Sequence, residues 1–92
     1  MDNNFNYKVI AELKDDLTPD EKAKALSEIE KWQKKFKIVK IDGNTYCKGG
    51  IITNESDFGS VSFFFFSLEE IKTFFSKLEF YDMGEGEKRV AV

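Results

Sequence analysis

Few residues in this chain are of a type that does chemistry. Its 92 residues include no histidine and one cysteine. The commonest general base and metal ligand is therefore missing. Cys47 is followed by Lys48, and a neighbouring ammonium lowers a thiol pKa. A thiolate nucleophile also needs a base, so Cys47 reads more simply as a small apolar strand residue. Asp15, Asp16, Asp20 and Glu21 gather before a helix start. Oxygen ligands in that number suit a hard cation, but a solvated loop and a helix N-terminus explain them without one. Tyr7, Tyr46 and Tyr81 offer hydroxyls to a sheet-lined pocket, or else pack in a core or an interface. Gly84-Glu85-Gly86-Glu87-Lys88 lacks the phosphate-binding spacing and sits among acids, so it reads as a turn. No cofactor and no metal site is expected.

The remaining chemistry is charge and aromatic surface. Net charge is −3, and it is unevenly spread. Residues 1–30 carry net −4, residues 31–48 net +5, and residues 49–87 net −6. The basic stretch is Lys31, Lys34, Lys35, Lys37, Lys40 and Lys48. It is either a solvated face or a patch for phosphate or an acidic partner. Dense acidic DNA mimicry calls for more negative charge, and strong non-specific nucleic-acid binding for more positive charge. Aromatics make up 15% of the chain, and ten of them are Phe. Four of those are consecutive, Phe63 to Phe66. Read as a strand, the run puts large rings on both faces of one sheet.

The elements that would position these residues follow from periodicity. Phe5, Tyr7, Val9, Ala11 and Leu13 alternate with more polar residues and predict a strand over 5–13. Thr18-Pro19-Asp20-Glu21 is a capping box with Pro at the first helical position. Ala25, Ile29, Trp32 and Phe36, with Leu26, form the apolar stripe of a helix over 19–36. Residues 37–41 are short and β-branched, and Asp42-Gly43-Asn44 is a turn. Thr45 to Lys48 resumes extended structure. Gly49-Gly50 before Ile51-Ile52-Thr53 leaves open a hairpin or one kinked strand. Residues 54–59 read as a polar loop and 60–66 as a strand. Ser67-Leu68-Glu69-Glu70 reads as a second capping box, opening a helix over 68–78 with a staple between Phe66 and Ile71. Strands at 80–83 and 89–92 close the chain. The expected fold is α+β: a ferredoxin-like βαββαβ order in one domain, 1–92, with two helices on one face of an antiparallel sheet.

Strand parity then assigns faces. Val61, Phe63 and Phe65 are expected in the core, and Phe64 and Phe66 on the open sheet face beside Lys8 and Ile10. The expected interaction surface is Phe64, Phe66, Ile10, Lys8, Lys34, Lys35, Lys40 and Lys48. A second copy or a partner protein would cover it.

Two resemblances bear on this surface. Phe63-Phe64-Phe65-Phe66-Ser67-Leu68-Glu69-Glu70 resembles the junction of third strand and second helix in the RNA recognition motif. That family implies stacking of single-stranded bases on the sheet. Its glycine-aromatic signature is replaced here by Phe58-Gly59-Ser60-Val61. In length and strand order the chain is also similar to small dimeric α+β barrel proteins, muconolactone isomerase-like and monooxygenase-like. These imply dimerisation through the open sheet face.

No stretch is apolar enough to span a membrane. Met1-Asp2-Asn3-Asn4 has no basic and apolar leader, and a lone cysteine suits a reducing compartment. A cytoplasmic, non-enzymatic protein-binding module is therefore expected. The Lys-, Asn-, Ile- and Phe-rich composition suits a small phage- or mobile-element-type inhibitor. The alternatives are a homodimeric α+β barrel enzyme with a pocket between sheet and helices, and a binder of single-stranded nucleic acid.

Overall fold

The computed structural model describes residues 7–48, 54–82 and 86–92, with the backbone alone at Lys48 and 54–58. In chain order the elements are β1 (Tyr7–Leu13), α1 (Pro19–Phe36), β2 (Ile38–Lys40), β3 (Thr45–Lys48), α2 (Asn54–Glu69), a 3-10 turn (Lys72–Phe74), β4 (Phe75–Asp82) and β5 (Glu87–Val90). The strands form one antiparallel sheet in the order β2-β3-β1-β4-β5. Among the described residues the fold is α+β, with five strands and two helices. Phe5, the segment 49–53 and Gly84-Glu85 lie outside the described residues, so the choice between hairpin and kinked strand lies there too.

The first half of the chain follows its local signals. Thr18 Oγ1 accepts from the Glu21 amide at 3.1 Å, and Glu21 Oε1 accepts from the Thr18 amide at 3.0 Å. This reciprocal box satisfies two donors that a helix start leaves without partners. Ala25 and Ile29 are the buried part of the α1 stripe, whereas Leu26 is exposed. Lys37 ends the helix in the left-handed region at φ 57°, its amide donating to the Gln33 carbonyl. Asp42 Oδ1 accepts from the amides of Asn44 and Thr45 at 3.2 and 3.0 Å, which closes the turn into β3. The odd-numbered residues of β1 face the helices: Val9 and Ala11 are buried, while Lys8 and Glu12 lie on the other side.

The second half departs from the sequence reading. Residues 60–66 are helical, inside α2, and 54–59 is the opening of that helix rather than a loop. Val61, Phe64, Phe65 and Leu68 lie at steps of three, one and three, which is one helical face. All four are buried. Phe63 and Phe66 lie off that face, at 60% and 40% exposure. Their presence turns a helical stripe into an unbroken apolar run, and unbroken Phe favours a strand reading on propensity. The parity assignment fails with the strand: Phe63 is outside the core and Phe64 is in it.

Helix 68–78 is likewise absent. The α2 helix ends at Glu69, where the amides of Glu70 and Ile71 donate to the carbonyls of Ser67 and Leu68, three residues back. The Ser-Leu-Glu-Glu box is thus the closing turn of a helix rather than its start. Phe75–Asp82 pairs along the whole of β1 and so supplies the second neighbour of the central strand. A bulge makes this possible. Glu12 faces Lys77 but Leu13 faces Phe75, leaving Ser76 as the extra residue. A regular strand would send Phe75 and Leu78 to opposite faces. With one residue inserted, both are buried under the helices. Ser76 Oγ donates to the Glu12 carbonyl at 3.2 Å across the bulge. Helices and sheet enclose a single cluster that includes Val9, Ile29, Tyr46, Phe64, Phe65 and Leu78.

Candidate functional site

The candidate catalytic groups are dispersed. Cys47 is buried, while Asp15, Asp16, Asp20 and Glu21 are exposed. Among the described residues no group of three or more His, Cys, Asp or Glu is placed to hold a metal ion. Tyr7 stacks on Phe80, and Tyr46 is buried against Phe64, where loss of solvent raises its phenol pKa. Tyr81 sits on the sheet face away from the helices. Its hydroxyl donates to Glu79 Oε1 at 2.6 Å, a bond to the neutral phenol that raises its pKa. The ammonium groups of Lys8 and Lys88 lie 5.2 and 5.6 Å from its ring centre.

The expected interaction surface does not assemble into one patch. Lys8 and Ile10 lie on the sheet face, opposite Tyr81 and Glu79 of β4. Glu12 and Lys77 pair beside them. Val39 and Val90, exposed apolar residues of this face, stand on the two edge strands, and the exposed Ile41 follows directly on β2. The centre of the face is therefore the mixed polar surface usual for a solvated antiparallel face. Thr45 and Cys47, at the same parity on β3, are buried. Phe64 is fully buried and leaves the surface. The large rings expected to make this face apolar belong to the helix layer. Lys34 and Lys35 are exposed on α1, Lys40 lies 5.9 Å from the Tyr46 ring on the helix side, and the Lys48 side chain is outside the described residues.

An aromatic surface does form, on the helices. Trp32 and Phe36, four residues apart on α1, stack with ring centres 5.9 Å apart and planes 14° apart. Phe36 in turn stacks on Phe63 of α2 at 6.1 Å and 23°. The outermost ring, Phe63, is 60% exposed. Cations border the stack. Lys31 Nζ lies 4.6 Å and Lys35 Nζ 5.6 Å from the Trp32 ring centre. Glu28 accepts from Trp32 Nε1 at 3.3 Å and fixes the indole. Phe66 follows Phe63 by three residues on the same helix surface, and the Arg89 guanidinium of β5 lies 5.1 Å from its ring centre. Beside Phe66, a groove of about 230 Å³ runs over Phe65 and Phe80 to Asp82, Glu87 and Arg89. Trp32 and Phe36 are half-buried and pack against the core, as the α1 stripe implies, whereas Phe63 lies outside the core that strand parity gives it.

No family model, curated protein or solved structure matches the chain. Among the described residues no helix is long and apolar enough to cross a membrane.

Proposed function

We propose that this chain is a non-enzymatic protein-binding module that occupies a macromolecular partner through the aromatic stack on its helices. The strand order β2-β3-β1-β4, with β5 added outside β4, supports a ferredoxin-like scaffold beneath that surface. A small inhibitor of phage or mobile-element type, acting in a reducing cytoplasm, fits the composition and the single cysteine. The observation that carries the reading is Phe63, a large ring at 60% exposure that ends a stack instead of entering the core. Fully burying a Phe is worth about 1.5–3 kcal/mol. Covering the exposed parts of Phe63 and Phe66 would then supply about 1.5–3 kcal/mol in all, roughly ten- to hundred-fold in affinity.

A photo-crosslinking side chain at position 63 tests this. The adduct formed in cells is identified, and the purified partner is titrated against the wild type and a Phe63→Ser, Phe66→Ser variant. At least ten-fold weaker binding by the variant is expected. Equal binding by both would remove the stack as the interface. A second reading, a homodimer through the sheet face, is favoured by Val39, Ile41 and Val90 at 44%, 45% and 53% exposure. Sedimentation velocity of the wild type and Ile10→Glu decides it, because a monomeric wild type ends that reading.

A further inference from the structure

The charges around the stack also specify what kind of segment it takes, and this step rests on the protein-binding reading above. The stack is bordered by cations at both ends. Lys31 and Lys35 lie against Trp32, and Lys34 is exposed on the same turns of α1. At the other end Arg89 lies over Phe66. Asp82 and Glu87 share the groove with Lys88 and Arg89, whereas Lys31, Lys34 and Lys35 outnumber Glu28 beside Trp32, so the Trp32 end is the more positive. An ammonium lying on a ring face keeps donors for a carboxylate.

Geometry separates a protein segment from a nucleic acid. Bases bind by stacking on free aromatic faces. Here the inner rings are occupied: Phe36 is stacked by both Trp32 and Phe63, and Trp32 also carries two ammonium groups, which leaves Phe63 and Phe66 as the exposed rings. What is offered outward is Phe63 and Phe66, a contact for aliphatic and aromatic side chains.

We propose that the stack receives an acidic amphipathic segment of a partner protein. Its apolar side chains pack on Phe36, Phe63 and Phe66, and its carboxylates reach Lys31 and Lys35 at one end and Arg89 at the other. The span follows from the ring spacings of 5.9 and 6.1 Å. With about 5–6 Å more between the Cβ atoms of Phe63 and Phe66, it reaches about 17 Å when the rings lie in line. That is roughly eleven residues of helix at 1.5 Å each, the helix-on-groove mode of recognition.

The test is selection from a random twelve-residue peptide library on the full chain, with counter-selection on Phe63→Ser. Selected peptides are then titrated by fluorescence anisotropy against the wild type, Phe63→Ser, and Lys31→Glu/Lys35→Glu. All three proteins are checked for native circular dichroism. The expected peptides carry apolar anchors flanked by Asp or Glu, and each variant binds them at least ten-fold more weakly. Phe63-dependent peptides that are basic, or indifferent to Lys31→Glu/Lys35→Glu, would overturn the acidic partner and leave the protein-binding reading standing. No Phe63-dependent peptide at all, or Phe63-dependent binding of labelled oligothymidylate instead, would overturn both.

Discussion

Phe63, Phe64 and Phe65 provide a direct test of how the Phe run is folded. Phe64 and Phe65 are adjacent in sequence and both fully or nearly fully buried, at 0% and 1% exposure. Adjacent residues in a strand face opposite ways, so only a helix puts both in one core. Truncating a buried Phe to Ala costs about 3–5 kcal/mol. Phe64→Ala loses the contact with Tyr46, and Phe65→Ala the contact with Phe80. Each should therefore lose a large part of the total stability of a domain this size, about 5–14 kcal/mol. Phe63 has only the smaller part of its surface covered, and it stacks on Phe36. Its truncation should cost about 1–2 kcal/mol, combining partial burial with a stacking share of about 0.5–1.5 kcal/mol. The assay is urea unfolding followed by far-UV circular dichroism, with equal slopes required before midpoints are compared. Phe64→Ala and Phe65→Ala should both fall well below Phe63→Ala. If Phe63→Ala is as costly as Phe65→Ala while Phe64→Ala is tolerated, the run is extended and the placement of α2 is wrong.

Other outcomes follow from local geometry. Gly59 lies within α2 with open space where a side chain would begin, so Gly59→Ala should raise stability by about 0.5–1 kcal/mol, measured by the same urea titration. Thr18→Ala removes one half of the capping box and strands the Glu21 amide; thermal unfolding should report a loss of about 1 kcal/mol. The Thr45 hydroxyl and the Asn44 amide, with smaller help from the Thr45 amide and Lys8, hold the Asp42 carboxyl below its ordinary pKa of 3.8. Because the folded value is the lower one, Asp42's contribution is fully present above pH 3.8 and is lost as pH falls through the folded value. Unfolding midpoints between about pH 2 and 6 should therefore fall less steeply with acid in Asp42→Asn than in the wild type; parallel curves would show that the turn does not perturb this group.

How much of this was legible depended on whether the determining contacts were local. The Thr18 box, the α1 stripe, the Asp42 turn and the facing of β1 are settled within a few residues, and each reads correctly from the chain. The Phe run does not, because propensity and period conflict there. Four adjacent rings satisfy a strand, while Val61, Phe64, Phe65 and Leu68 satisfy a helix. Only the sheet decides between them: β1 already has β3 on one side and takes Phe75–Asp82 on the other, so residues 54–69 are left to cover the core. The bulge at Ser76 is equally non-local, since it exists to bring Phe75 and Leu78 to one face. The candidate site follows the same rule. Its charges were visible as a basic stretch, and Lys34 and Lys35 lie where α1 places them. The aromatic stack joins Trp32 and Phe36 to Phe63 across 27 positions of sequence, and no periodicity within one element encodes it. Composition, charge polarity and the locally capped elements are written in the chain itself. Tertiary packing decided which two phenylalanines of the run stay outside, because a helix has one buried face and Val61, Phe64, Phe65 and Leu68 fill it.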